Sequence, residues 1–371
     1  MIKKLYTPGP LTTSDSVKEA MNRDLGSRDM EFIKMVADIR QRLLDLAGVS
    51  KESGYEAVIL QGSGTFGIEA VLSTVIPPDG ELLLIINGAY GTRMAKIAAI
   101  HGILTSQLEY PENVWPVPAD IDQILYKEPD ITHVAMVHCE TTTGIFNDIN
   151  AIGEVVKMHH KEFIVDAMSS FGAVPVDFEK AGISYLISSS NKCIEGVPGF
   201  SIVIGRRESL EQCRNQARTL SLDLYSQWKG LENDGQFRFT PPVQSLMAFH
   251  QALIELHEEG GVDRRALRYL QNYRMLLSGM RKLGFHEYLP EELQGYIITT
   301  FLKPLDPAFD FERFYQKLNQ RGFVIYPGKL TKADAFRIGN IGQLYPEDMH
   351  DLVHAIAGVL DELGVGSCSG R

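Results

Sequence analysis

Three short stretches carry residue types that do chemistry in settings where a surface role is a poor explanation. Gly62-Ser63-Gly64-Thr65-Phe66-Gly67 follows an apolar run and precedes a helical pattern. A turn of this kind aims free backbone N–H groups and a helix dipole at an anion, so it reads as a phosphate cradle or, without a ligand, as a tight turn. Dinucleotide-binding folds share the spacing, but they need a carboxylate at the end of the next strand. That strand ends Ile85-Ile86-Asn87-Gly88, and the nearby acid, Glu81, lies at its start. Asp166 closes the run Phe163-Ile164-Val165 and is followed by no charge until Asp177. A carboxylate there is costly unless something cationic meets it, although by itself it also suits a cap or a turn. Lys192 follows an uncharged stretch, 181–191, and precedes a loop with Gly196 and Gly199. Desolvation lowers an ammonium pKa, which suits an amine that must attack a carbonyl; taken alone, such a lysine also fits an apolar edge covered by its stem.

Together the three features fit one cofactor. Pyridoxal phosphate presents a phosphate, a pyridine nitrogen to be kept protonated and an aldehyde awaiting an amine. Asp166 would face the ring nitrogen, and Lys192 would bond to the aldehyde and then carry the proton between substrate and cofactor carbons.

These residues need strands to hold them. Short apolar runs at 57–61, 82–86, 132–138, 163–165, 184–188 and 200–204 predict buried strands, alternating with helical patterns at 68–75, 92–101 and 149–161. Such alternation implies crossovers and a mainly parallel sheet, with ligands beyond the strands' carboxyl ends, where all three stretches fall. Long helices are expected at 243–259 and 262–283. Strand patterns at 296–302, 323–326 and 335–338, interleaved with helices at 311–320 and 346–363, then predict a smaller α+β unit. The expected division is a large domain, 14–258, and a small one formed by 1–13 with 259–371. The tail 364–371 is expected to be disordered.

The 371 residues include 36 basic and 47 acidic ones, a net charge of −11 that speaks against a nucleic-acid or anionic-membrane partner. The longest uncharged stretch, 239–254, contains Pro241 and Pro242, so no membrane span is expected, and the first residues hold no apolar leader core. Cys139, Cys193, Cys213 and Cys368 are far apart, which predicts reduced thiols in a cytoplasmic protein and no metal site. His138-Cys139-Glu140 has no ligand spacing, since neighbours on a strand face opposite ways.

The segments Asp166-Ala167-Met168-Ser169-Ser170, Ser188-Ser189-Ser190-Asn191-Lys192 and Gly62-Ser63-Gly64-Thr65 resemble the class V aminotransferases of the fold-type I pyridoxal-phosphate enzymes. The likeness extends through Thr7-Pro8-Gly9-Pro10, Asn87-Gly88-Ala89-Tyr90-Gly91, Glu140-Thr141-Thr142-Thr143-Gly144, Ser221-Leu222-Asp223-Leu224-Tyr225 and Phe336-Arg337-Ile338-Gly339-Asn340, over nearly the whole chain. It implies an α/β fold-type I transferase and further roles by position. Tyr90 would stack on the pyridine ring, Thr141, with Thr143 as a second hydroxyl, would reach the phenolic oxygen, and Ser63, Gly64, Thr65 and Asn191 would hold the phosphate. Thr240 would enter the neighbouring subunit's phosphate site, implying a homodimer with shared sites. Arg337, the single charge in 335–342, would bind the anionic end of a small substrate with its fork of donors, aided by N–H groups of the Pro8–Gly9 turn. Arg28 and Cys193 are further candidates.

Within the family the resemblance implies transfer of the amino group of 2-aminoethylphosphonate to pyruvate, yielding phosphonoacetaldehyde and L-alanine in phosphonate degradation. The rival readings are an alanine- or serine–glyoxylate-type class V enzyme, a nicotinamide-dependent oxidoreductase using the loop at 62–67, and a non-catalytic pyridoxal-phosphate-binding regulator.

Overall fold

Runs rich in Ile, Leu and Val that lack polar alternation cannot leave a face in water, and here they assemble into one sheet covered on both sides. The computed structural model describes residues 3–328, 330 and 333–369. Its main sheet has seven strands, in the spatial order Tyr55–Gln61, Phe200–Arg206, Tyr185–Ser189, Glu162–Asp166, Ile131–Val137, Glu81–Ile86 and Leu104–Glu109. All neighbours are parallel except that Phe200–Arg206 runs against both Tyr55–Gln61 and Tyr185–Ser189. The six expected strands are all present. The seventh, Leu104–Glu109, is an edge strand of mixed polarity (Leu-Thr-Ser-Gln-Leu-Glu) and lacks the apolar run that marks its neighbours.

Crossover helices cover the sheet, among them Gly64–Val75, Ala89–Ile100 and Ile149–Met158. Met30–Leu46 adds a further helix, burying Phe32, Val36, Ile39 and Leu43 at helical spacing. The helix Val243–Glu259 ends at Gly260, whose φ of 106° is a left-handed cap, and Gly261–Lys282 starts directly after it.

A second, three-stranded antiparallel sheet has the order Ile298–Leu302, Ala335–Gly339, Tyr326–Pro327. The pattern at 323–326 is divided: Phe323–Val324 pairs instead with Lys4–Leu5, so the N-terminal segment is stitched to this part of the chain. One hydrophobic core draws its buried residues from Val17 to Leu256. Another uses Tyr6 together with residues from Tyr273 to Cys368. A small cluster of Leu11, Cys139, Ala173, Cys193, Tyr269, Ile297 and Ile341 mixes residues of both parts.

The expectation of a disordered tail fails for its described residues. Cys368 is buried, Leu305 donates its N–H to the Ser369 carbonyl, and Asp306 accepts from Gly366. Residues 370 and 371 of that stretch lie outside the described residues. Among the described residues no helix is long and apolar enough to cross a membrane.

Candidate active site

Parallel strands deliver the residues that follow them to one end of the sheet. Three such ends, after Gln61, at Asp166 and after Ser189, enclose a cavity of about 180 Å³ lined by Ser63, Gly64, Thr65, Tyr90, Arg93, Asp166, Met168, Ser169, Ser189, Asn191 and Lys192, with Ile68 and Met94. Seven of the residues singled out from sequence therefore share one pocket. A larger open cleft of about 1410 Å³ lies against Tyr55, Phe178 and Arg207, and none of those seven lines it.

The cradle opens at the helix Gly64–Val75. Ser63 is its N-cap without a side-chain cap bond, and Ser63, Gly64 and Thr65 at this helix start line the cavity. A Cβ at Gly64 would lie 2.3 Å from the Met168 sulfur, so glycine is what keeps this backbone approachable. Arg93 donates to the Thr65 hydroxyl at 3.2 Å and lies 4.8 Å from the Tyr90 ring centre. It brings a cation to the cradle that strand-end reasoning missed; its three-residue spacing from Tyr90 on one helix was the available signal.

Asp166 ends its strand buried, with Oδ1 accepting the Met168 N–H at 3.0 Å. Among the described residues its Oδ2 accepts no hydrogen bond. Burial pushes its carboxyl up to about 6, partly countered by the Met168 N–H, Lys192 and Arg93. Lys192 donates its amine to the Pro8 carbonyl at 2.6 Å. Burial pushes that amine down to about 8, against the pull of Cys193, Cys139 and Asp166.

Glu140, also unassigned from sequence, lies fully buried beneath Tyr90. Its carboxylate accepts the N–H groups of Gly91 at 2.9 Å and Tyr90 at 3.3 Å, holding the start of the helix Ala89–Ile100. Burial pushes it up to about 7. Thr141 follows, its hydroxyl 2.9 Å from that of Ser169.

Arg337 is 1% exposed on the small-sheet strand. Its guanidinium donates to the carbonyls of Thr141 at 2.9 Å and Pro327 at 3.0 Å, and lies 5.0 Å from the Tyr326 ring centre. Burial lowers its pKa, while Tyr90 and Tyr326 raise it. Among the described residues it has no carboxylate partner. A buried guanidinium without a fixed anion has spare donors for a ligand's anion.

Two expectations change, those for Thr143 and for the Pro8–Gly9 turn. The Thr143 hydroxyl turns into its own turn, accepting from Ile145, and does not line the cavity. The Pro8–Gly9 turn approaches with a carbonyl toward Lys192; Pro8 has no N–H to give, and a Cβ on Gly9 would lie 2.8 Å from Lys192 Cδ. Thr240 lies outside its own chain's cavity, in an open cleft shared with Ser27, Arg28 and Arg238. Cys193 is buried and donates to the Ser169 carbonyl, with burial pushing its thiol up to about 12, which leaves it inert as a nucleophile.

The residues present fit pyridoxal phosphate: an approachable helix N-terminus for the phosphate, a buried carboxylate with an open oxygen, and an enclosed amine of lowered pKa in one small cavity. The family description "Aminotransferase class-V" matches residues 13–333. The 2-aminoethylphosphonate–pyruvate transaminase of Syntrophobacter fumaroxidans is 52% identical over 97% of both chains. That of Vibrio vulnificus is 49% identical over 95% of this chain and 96% of its own. The crystal structure of ureidoglycine–glyoxylate aminotransferase from Bacillus subtilis superposes with a TM-score of 0.90 at 25% identity, covering 100% of this chain and 96% of the other. Pyridoxamine–pyruvate aminotransferase from Mesorhizobium loti shares the fold, with a TM-score of 0.89 at 23% identity over 98% and 93% of the two chains. These matches leave no room for a nicotinamide fold built on the loop at 62–67, and the chain belongs to the class V aminotransferases.

Proposed function

We propose that the protein transfers the amino group of 2-aminoethylphosphonate to pyruvate, releasing phosphonoacetaldehyde and L-alanine, with pyridoxal phosphate as cofactor. The observation that carries this reading is the near-full-length identity to 2-aminoethylphosphonate–pyruvate transaminases, joined to a buried guanidinium free of any carboxylate among the described residues. When bound, pyridoxal phosphate supplies an aldehyde for covalent capture of an amine and a ring that withdraws electrons from the carbon beside it.

The chain's residues divide the remaining work. Ser63, Gly64, Thr65 and Asn191 hold the phosphate, with Arg93 adding charge behind Thr65. Asp166 keeps a proton on the ring nitrogen through its open Oδ2. A cation there offsets the desolvation that otherwise lifts its pKa, so the carboxylate ionises in the loaded enzyme. Tyr90, backed by Arg93 on one side, offers its other face to the ring, and Thr141, ordered by Ser169, faces the phenolic oxygen. Lys192 would hold the cofactor aldehyde until the donor's amine takes its place there, and its freed Nζ would then move the proton between the substrate carbon and the cofactor carbon. An amine titrating near 8 suits both tasks at neutral pH.

Arg337 holds the phosphonate in one half-reaction and the pyruvate carboxylate in the other. The phosphonate is tetrahedral and the carboxylate planar, but each presents a pair of oxygens to a fork of donors, so one guanidinium serves each in turn. Thr240, outside its own cavity, supports a reading in which two copies of the chain complete each other's phosphate sites as a homodimer. The reduced, well-separated cysteines support a cytoplasmic setting.

The test is the visible absorption of the holoenzyme. Adding 2-aminoethylphosphonate should bleach it, and pyruvate should restore it with formation of alanine. No bleaching with that amine, but bleaching with alanine or serine and recovery with glyoxylate, would overturn this reading.

A further inference from the structure

Glu195 lies three residues after Lys192 and takes the left-handed conformation, φ 66°, that side chains normally avoid. It is 3% exposed, and its carboxylate serves as the meeting point of a buried network. Oε1 accepts from the Tyr269 hydroxyl at 2.5 Å and from Arg268 Nη2 at 2.7 Å. Both partners belong to the long helix Gly261–Lys282, and both continue to the same residue, Gly342. The Tyr269 hydroxyl accepts the Gly342 N–H at 3.2 Å, while Arg268 Nη1 donates to the Gly342 carbonyl at 2.7 Å. Gly342 lies five residues beyond Arg337, at the exit of the strand that carries it. At the near end, Arg265 donates to the Cys193 carbonyl at 2.6 Å, next to Lys192.

The loop that carries the amine and the strand that carries the guanidinium are therefore joined through the Glu195 carboxylate by two links, the Tyr269 phenol and the Arg268 guanidinium. Buried ion pairs of this kind add little net stability, because desolvation consumes most of their attraction, but they fix geometry. A substrate with an amine at one end and an anion at the other must bridge that same gap.

We infer that Glu195 and Tyr269 are positioning residues that set the separation between Lys192 and Arg337 and so select the length of the amino donor. This rests on the substrate reading above, since a single donor length matters only if amine and anion bind at the two ends together. Removing the Tyr269 oxygen would leave the helix packed but cut one of the two links from Glu195 to Gly342, leaving Arg268 as the sole bridge among the described residues, and the two ends of the site could then settle at other spacings.

The test compares wild-type, Tyr269→Phe and Glu195→Gln holoenzymes. One measurement is the ratio of kcat/KM for 2-aminoethylphosphonate to that for 3-aminopropylphosphonate, one methylene longer. The ratio should fall by about fivefold or more in Tyr269→Phe, the equivalent of one hydrogen bond. A second is the pH midpoint of the holoenzyme's visible absorption change, which reads the surroundings of the Lys192 nitrogen and needs no donor. It should shift by about half a pH unit or more in both variants. If both variants keep the wild-type ratio and midpoint, the positioning role is overturned. Should Glu195→Gln fail to fold, Tyr269→Phe, which deletes a single atom, decides. Wild-type protein that ignores 2-aminoethylphosphonate would overturn the substrate reading alone, because the midpoint still judges the strut.

Discussion

Lys192 and Pro8 are 184 residues apart in sequence, yet the lysine amine donates to the proline carbonyl at 2.6 Å. The N-terminal segment therefore forms a wall of the site. It is fixed on its other side by the pairing of Lys4–Leu5 with Phe323–Val324 and by the Gly339 N–H, donated to the Tyr6 carbonyl.

Gly9→Ala tests that wall. Gly9 has a φ of 124°, and an added Cβ would lie 2.8 Å from Lys192 Cδ and 2.9 Å from the Asn191 carbonyl oxygen. Displacing a reacting amine by such a contact is expected to lower kcat by about tenfold to a hundredfold. Unfolding measured alongside should show a loss of about 1–3 kcal/mol. Wild-type kcat in this variant would show that the turn does not bear on the lysine.

The lowered pKa of Lys192, about 8, predicts how cofactor-free protein takes up pyridoxal phosphate. The neutral amine is the nucleophile, so the rate at which visible absorption grows should rise about tenfold between pH 7 and pH 9 and then level off. A rate still climbing steeply above pH 9 would mean an ordinary, solvated lysine. Lys192→Ala should form no such band and lose turnover by at least about 10³-fold.

Asp166 has opposite consequences with and without cofactor. Its pKa in the folded, cofactor-free protein, about 6, is raised above its usual 3.8, so the folded state binds the proton more tightly than the unfolded state. Stability from this group is thus greatest below about pH 4 and is lost as pH rises through 6, by roughly 3 kcal/mol at most. Asp166→Asn should make the cofactor-free protein more resistant to urea at pH 8. The same change should cut turnover by at least about a hundredfold, because the amide does not hold the ring nitrogen's proton. Equal urea midpoints for the two cofactor-free proteins at pH 8 would remove the desolvation argument.

Arg337→Ala should raise KM for both the amino donor and pyruvate, by about tenfold to a hundredfold each, as expected for loss of a charge-assisted pair. Arg337→Lys should recover little, since an ammonium does not reproduce two parallel donors. An unchanged KM for either substrate would dissolve the shared anion site.

How far the site was legible in sequence depended on how each residue meets the sheet. Asp166 and Lys192 announced themselves as single charges beside apolar runs, and the cradle as a glycine turn between strand and helix. Glu140 has the same signature, a lone acid after the apolar strand Ile131–Val137, and the strand-end rule would have found it. Arg93 was harder, because a polar residue on a surface helix looks solvated until Tyr90 and Thr65 are brought beside it by the fold. The tie between Glu195 and Gly342 was not legible at all. It depends on the angle at which the helix Gly261–Lys282 crosses two loops, which no local pattern encodes. Among the elements, the helices at 243–259, 311–320 and 346–363 kept their expected limits, while the edge strand Leu104–Glu109 lacked a buried face to betray it.

The place of Phe200–Arg206 in the sheet has a consequence for biosynthesis. Tyr55–Gln61, which leads into the phosphate cradle, is an edge strand whose sole neighbour in the main sheet, among the described residues, is Phe200–Arg206. While the ribosome is still making the first two hundred residues, that strand has no sheet partner to zip against. The emerging chain carries an unpaired strand for that interval, and the cradle it leads into gains its sheet support only once the reversed strand has emerged and docked.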